Sequence, residues 1–472
     1  MKTLLLRPFT DSTTGNSPPL SLMYLSSYLK SKGQSVQLWD KCVDKKVSEN
    51  PASYERYLAD LFREIEAYGP ALVGMTLFSK ELREIADLCR RIKAHFPSVL
   101  ILLGGAHPTA MPEETLEQVP ACDIVVRGEG EIVLHDLVKT LEGGGDLREV
   151  RGISFRDRDG KVVSGTDAEA PADLDLLPFP DRESLIDNYR NGSYSSFVYG
   201  SPSDLIMTSR GCPYQCSFCF KVCGRYRSRS PQNVLEEVDW IAAHVKPKCL
   251  QIMDDSFTIQ KQRSLEILDG LIERNYPFTL KVRSRVDAVD EELLARMKQA
   301  GVSTVVYGLE SGSQKMLDAF HKKTTVEQNV AACRMTRRAG LTCLGDMILF
   351  YPGETRETLK ETERFIRKAR PTAVNFLVLS PLPRTQAYED AKKNGTLVGD
   401  WRIGGEMPWV RIDGFEGPKQ MQNIAKRMFV KALLNPRRIA WLLQAYGKFF
   451  LQKPAFTLRM VFYNVIRKDK NY

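Results

Sequence analysis

The stretch SRGCPYQCSFCFKVC, residues 209–223, decides the reading of this chain. It sets Cys212, Cys216 and Cys219 at gaps of three and two residues, directly after a short apolar run at 204–209 that reads as a strand. Thiols spaced this way on one loop can turn their sulfurs toward a common centre, and thiolates favour zinc or iron–sulfur centres. Three ligands instead of four leave one metal position open to a substrate or cofactor. The competing reading is a closed structural zinc site, its fourth ligand supplied by Cys223, Cys249 or a distant histidine.

Outward from this loop, apolar runs at 204–209, 248–253, 279–284, 303–308, 341–349 and 373–379 alternate with helical stretches after all but the last. Six such units predict an incomplete (β/α)6 barrel, with chemistry at the carboxyl ends of its strands. Upstream, runs at 2–6, 36–38, 72–76, 100–103 and 124–126 alternate with patterned stretches such as 20–32 and 80–95. They predict an α/β domain on a five-stranded parallel, flavodoxin-like sheet. Its strands end in glycine-rich loops, Gly104-Gly105-Ala106-His107-Pro108 and Gly128-Glu129-Gly130, where ligands of such sheets bind. Between the two series the pattern weakens around Pro171, Pro178 and Pro180, with a hairpin expected at Asp159-Gly160. The expected units are a first domain over 1–143, a linker over 144–200, the barrel over 201–395 and a small helical C-terminal domain over 396–472.

The totals agree with an intracellular multidomain protein. A chain of 472 residues, 43% hydrophobic and 26% charged, exceeds the size of one core and falls outside the disordered, collagen-like and disulfide-scaffold classes. No run reaches the roughly 18 apolar residues of a membrane span. The N-terminal MKTLLLRPFTDSTTG reads as a first strand and not as a signal peptide. Ten unevenly spaced cysteines in a chain this long point to a reducing cytoplasm. The net charge of +9 resides in the tail, where residues 420–472 hold eleven Lys and Arg against Asp469 alone.

The cysteine pattern, with the aromatic Phe218 before the third cysteine, resembles the signature of the radical S-adenosylmethionine superfamily. The resemblance implies that Cys212, Cys216 and Cys219 hold three irons of a [4Fe-4S] cluster whose fourth iron is chelated by S-adenosylmethionine, and it leaves Cys223 a spare thiol. Met253-Asp254-Asp255-Ser256 resembles the family's motif for the methionine amino group, although a pair of aspartates there also suits helix capping. Gly308-Leu309-Glu310-Ser311-Gly312 resembles the motif that meets the ribose and carboxylate. Arg283 and Arg285 are weaker cofactor contacts by the same likeness, as is Asp346. Tyr351-Pro352-Gly353-Glu354-Thr355 and Ser380-Pro381-Leu382-Pro383 complete the run, which covers roughly 204–390.

The first domain resembles the cobalamin-binding domain of the corrinoid-dependent branch of that superfamily. The likeness rests on Ser17-Pro18-Pro19-Leu20, Thr76, Gly104-Gly105-Ala106-His107-Pro108-Thr109 and Arg127-Gly128-Glu129-Gly130-Glu131. The D-x-H-x-x-G motif that supplies a lower cobalt ligand is absent, because residues 8–19 contain no histidine. His107 reads as a loop-stabilising residue before a ligand.

The resemblance implies a one-electron donor such as flavodoxin or ferredoxin, and a 5′-deoxyadenosyl radical that abstracts hydrogen from an unactivated carbon. It implies methyl delivery from methylcobalamin to a small-molecule substrate; a lipid as that substrate, and no nucleic acid as partner, are read from the basic tail, where Leu, Ile and Phe are interleaved with the cations. Cyclisation, ring contraction or oxidation without methylation is the alternative chemistry; a non-catalytic cobalamin- or metal-binding sensor is the alternative class. In the tail, Ile439, Leu442, Leu443, Tyr446 and Phe450 fall on one helical face flanked by Arg437, Arg438, Lys448 and Lys453. This pattern suits either packing on the barrel's open side or peripheral contact with an anionic membrane.

Overall fold

A computed structural model describes residues 1–9, 17–41, 51–196 and 199–433. The tail face at 439–450 lies outside these residues. Among the described residues, no helix is long and apolar enough to cross a membrane.

The first sheet is built from β1 (Lys2–Leu6), β2 (Ser35–Trp39), β3 (Leu72–Thr76), β4 (Leu100–Gly104), β5 (Ile124–Val126), β6 (Ile153–Arg156) and β7 (Val162–Ser164). Their order is β2-β1-β3-β4-β5-β6-β7. The first five are parallel, as the alternation predicts, and β6 and β7 add as antiparallel strands. The hairpin expected in the linker therefore extends this sheet, turning at Gly160, whose φ of 77° suits glycine. Both faces are buried. Leu5, Leu72 and Leu102 face one core, and Leu4, Val73, Ile101 and Leu103 face the other. This is why the strands read as continuous apolar runs and not as alternating ones.

The second sheet contains β8 (Ser203–Ile206), β11 (Cys249–Ile252), β12 (Thr279–Ser284), β13 (Val302–Glu310), β14 (Thr342–Leu349) and β15 (Ala373–Val378), all parallel. Their order, β15-β14-β13-β12-β11-β8, is that of an open six-stranded barrel. A two-stranded hairpin, β9 (Ser209–Arg210) with β10 (Arg227–Ser228), brackets the cysteine loop. The sequence pattern does not announce it, since two residues are too few for a period. Alternation along each barrel strand sends Leu280, Val282, Val305, Tyr307, Cys343 and Val374 outward into the helix-covered core. Each such fully buried side chain contributes roughly 1.5–3 kcal/mol. The intervening residues face the lumen.

Beyond the barrel, β16 (Leu397–Val398) and β17 (Trp409–Val410) pair antiparallel, and the helix Pro418–Leu433 follows. That helix packs through Met421, Ala425 and Met428 on a core shared with Phe376 and Val378 of β15. It takes the place of a sixth barrel helix, so this part of the helical C-terminus shares the barrel's core.

Candidate functional site: the cysteine loop and the facing glycine loops

The cysteine loop is fixed at both ends before any ligand enters. Asp254, 1% exposed at the end of β11, accepts from Thr208 N at 2.6 Å, Thr208 Oγ1 at 2.5 Å and Ser209 Oγ at 2.6 Å. Its carboxylate is thus committed to the backbone that leads into the cysteines. Asp254, expected from the sequence among the cofactor contacts, here accepts three hydrogen bonds that position the cysteine loop. At the far end, Ser217 N donates to Phe320 O at 3.0 Å and Tyr351 Oη donates to Ser217 Oγ at 2.8 Å. Phe218 stands edge-on to Phe320, with ring centroids 5.5 Å apart. Tyr214 lies under the Arg285 guanidinium at 3.6 Å, and Arg285 is itself held by Asp287 and by Lys322 O.

Within the loop, Cys216 and Cys219 share a hydrogen bond, which draws the Cys216 thiol down to about 6 with help from Lys322 and Arg285. Cys219 rises as the proton-holding partner, and burial pushes Cys212 up. Among the described residues, no group of three or more His, Cys, Asp and Glu side chains converges on a metal point. The structure brings Cys216 and Cys219 together and leaves Cys212 at longer range on the same loop. The donor chemistry fits an iron–sulfur cluster: three soft thiols on one loop, two of them in contact, beside a cationic pair that favours thiolate. Cys223 belongs to different surroundings. Burial first, and then Glu129, pushes its thiol up to about 12.

Glu310 ends β13 with φ at +58°, an uncommon backbone state for a residue with a side chain. Its carboxylate holds Lys322 Nζ at 2.8 Å, both side chains being 8% exposed. A Cβ at Gly308 would push against both members of that pair, so any other residue there would move them. Lys322 is a site residue that sequence reasoning missed; it lies twelve residues beyond Glu310, and no motif flags it. Ser311 points elsewhere, toward Thr362 Oγ1 at 3.2 Å on the helix Arg356–Ala369. It supports the glycine turn and does not face the thiols. The side chains of Asp255 and Arg283 make no hydrogen bond or ion pair among the described residues, although Arg283 O accepts from Phe257 N at 2.9 Å. Burial raises the Asp255 carboxyl, with Arg283 and Lys221 opposing from nearby.

On the first domain, Thr76 lies beside Gly104 at the carboxyl edge of the sheet. Gly105 has φ of 103°, and a Cβ there would stand 2.9 Å from Thr76 Cγ2. Gly128 has φ of 71°, with open space where a side chain would be. Thr109 ties the two loops, accepting from Gly128 N at 3.0 Å and donating to Gly105 O at 2.7 Å. This side-chain-free edge fits a large planar ligand. His107 is wholly buried, its Nδ1 2.9 Å from Ser79 Oγ and its Nε2 unpartnered, which agrees with a loop-stabilising role. Ser17 presents its carbonyl to Arg7.

Glu129 is drawn away from the glycine edge. It pairs with Arg210 at 2.7 Å and with Arg227, while Glu131 pairs with Arg210 at 2.6 Å. Here the Glu129 carboxylate, expected from the sequence at the corrinoid edge, bridges the first domain to the β9–β10 hairpin. Neither arginine was singled out from the sequence, because their partners lie some 80 to 100 positions away.

Comparison with known proteins agrees with this division. Residues 6–138 match the B12 binding domain family and residues 206–366 the Radical SAM superfamily. An uncharacterized methyltransferase of Pyrococcus horikoshii is 29% identical over 98% of this chain and 99% of its own. The anaerobic magnesium-protoporphyrin IX monomethyl ester cyclase of Rubrivivax gelatinosus is 30% identical over 83% of this chain and 70% of its own. The solved cobalamin-dependent S-adenosylmethionine radical enzyme OxsB, with aqua-cobalamin and S-adenosylmethionine bound, superposes with a TM-score of 0.72. It is 20% identical, covering all of this chain and 74% of that one, and the likeness is one of fold.

Proposed function

The chain belongs to the radical S-adenosylmethionine enzymes that carry an N-terminal B12-binding domain, and on that premise we propose that it transfers a methyl group to an unactivated carbon of a largely apolar small molecule or lipid. When bound, the cluster supplies the electron that cleaves S-adenosylmethionine and the corrinoid supplies the methyl group. The observation that carries the reading is the ion-paired seam joining the Gly128-Glu129 loop to the hairpin that frames the cysteines. It ties the two sets of cofactor loops to one another.

In this reading Cys212, Cys216 and Cys219 hold the cluster beneath Phe218. Asp255 receives the methionine amino group, since its neighbour Asp254 is engaged. Glu310, steadied by Lys322, receives the ribose. Thr76, Gly104, Gly105 and Gly128 bound the corrinoid edge. Flavodoxin or ferredoxin serves as electron donor, and the basic tail meets an anionic membrane surface.

The test is anaerobic reconstitution, with iron, sulfide and cobalt counted and S-adenosylmethionine added with dithionite. The expected result is close to four irons, bound cobalt and release of 5′-deoxyadenosine. Cys216→Ala should lose iron and cleavage, and Cys223→Ala should keep both. A four-iron protein that yields no 5′-deoxyadenosine would overturn the reading. The cyclase relative favours a second outcome, a product carrying no label from the methyl group of S-adenosylmethionine, and labelling separates the two.

A further inference from the structure

We propose that the floor of the barrel lumen is an anion site and that the substrate is an apolar acid, its carboxylate or phosphate held by Lys281 and Arg283 and its hydrocarbon part turned toward the cysteine loop. This deepens the methyl-transfer reading and rests on it.

Alternation along β12 buries Leu280 and Val282 among the outer helices and turns Lys281 and Arg283 into the lumen. Neither cation makes a hydrogen bond or an ion pair among the described residues. Other cations of the barrel mouth are paired, Arg285 with Asp287 and Lys322 with Glu310. Asp346, on the lumen face of β14, is the acid near Lys281 and already accepts from Asn375 Nδ2 at 2.8 Å, while the Asp255 carboxyl lies near Arg283 without pairing with it. A half-buried ammonium without a counter-charge is costly, and a ligand that brings one recovers that cost.

The depth of the site gives it direction. Lys281 pairs in register with Thr304, whose hydroxyl meets Tyr199 Oη, and Ser303 Oγ donates to the same oxygen at 2.9 Å. The Tyr199 hydroxyl thus lies at the level of Lys281, near the amino ends of the strands. Arg283 stands one pleat higher, about 7 Å along the strand. Above and across, Met253, just past the end of β11, is 38% exposed, and Leu377, on the face of β15 opposite Val374, is 54% exposed. Cations at the floor with uncovered apolar side chains above them match a molecule that enters head-group first. Its reactive carbons would then lie on the apolar side, at the end where the cysteines are.

The experiment uses the full chain reconstituted anaerobically with cluster and cobalamin. Medium- and long-chain carboxylates, the matching alkyl phosphates and the matching primary alcohols are each titrated by calorimetry with S-adenosylmethionine present. One anion series should bind roughly tenfold or more tightly than the alcohols, as a charge-assisted hydrogen bond would give, and the winning series names the head group. Lys281→Met should abolish that preference, Lys281→Arg should retain it, and S-adenosylmethionine affinity should stay as in the parent. Alcohols binding as tightly as both anions, or a preference that survives Lys281→Met, would overturn the proposal. So would weakened S-adenosylmethionine binding in Lys281→Met, which would make Lys281 a cofactor contact. Failure to release 5′-deoxyadenosine strikes the methyl-transfer reading instead, and it is read in a separate assay.

Discussion

A carboxylate that accepts three hydrogen bonds at once, from Thr208 N, Thr208 Oγ1 and Ser209 Oγ, fixes the chain just ahead of the first cysteine. Asp254→Asn keeps the volume but turns an NH2 group toward donors that need an acceptor. The expected loss is about 2–3 kcal/mol in denaturant unfolding, with fewer irons retained after reconstitution; an unchanged midpoint and iron count would remove Asp254 from this role. His107 supplies the pH dependence. Burial lowers its imidazole to about 4, from an ordinary value of 6.5. As pH falls, the unfolded chain takes the proton first while the native ring stays neutral. Stability is therefore lost between about pH 6.5 and 4, by up to about 3 kcal/mol. His107→Gln should flatten that acid limb, and an equal slope in the variant would refute the assignment.

At the scale of elements, the stretch from 144 to 200 is where sequence and structure part most. Its prolines and mixed charge read as a linker, yet Arg182 within it is wholly buried. The guanidinium stands 2.6 Å from Asp204 and 2.7 Å from Glu237, both of them buried as well. Arg182→Met leaves Asp204 without its cation and should cost about 3–5 kcal/mol, read as a drop in Tm and as earlier proteolysis within 144–200. Strands were legible because their apolar runs are local: β1, β3, β5 and β12 begin and end where the pattern places them. The cysteine spacing was legible for the same reason. What was not legible is pairing over distance. Nothing in the sequence says that Asp254 turns back to Thr208, that Ser311 faces Thr362, or that Lys322 returns to Glu310. The β9–β10 hairpin is set by tertiary contact and not by propensity.

Considered as a whole, the molecule has two sheets whose carboxyl edges are tied by a small seam. Its ionic part is Glu129 between Arg210 and Arg227, with Glu131 on Arg210, all with side chains 5–8% exposed. The Arg210 guanidinium also lies 4.9 Å from the Tyr24 ring, and Leu20 and Tyr24 meet Leu205 and Met207 in a four-residue apolar patch. The apolar contact is larger than this patch, because one continuous core joins Leu22 and Met23 of the first domain to Leu185, Tyr189 and Tyr194 and on to Ile206 of the barrel. The buried charges add specificity to that contact, since an arrangement that separates them leaves them desolvated and unpaired. Glu129→Gln removes the carboxylate shared by both arginines and leaves Arg227 without an acid. The expected cost is about 3–5 kcal/mol, and it falls on docking and not on either core. Unfolding that is a single transition in the parent should split into two in the variant, and cleavage within 144–200 should quicken while the sheet of β1 to β7 stays protected. A single transition at the parental midpoint would mean that the shared apolar core holds the domains together without the ion pairs, and Glu129 would then be free to meet a ligand at the glycine edge.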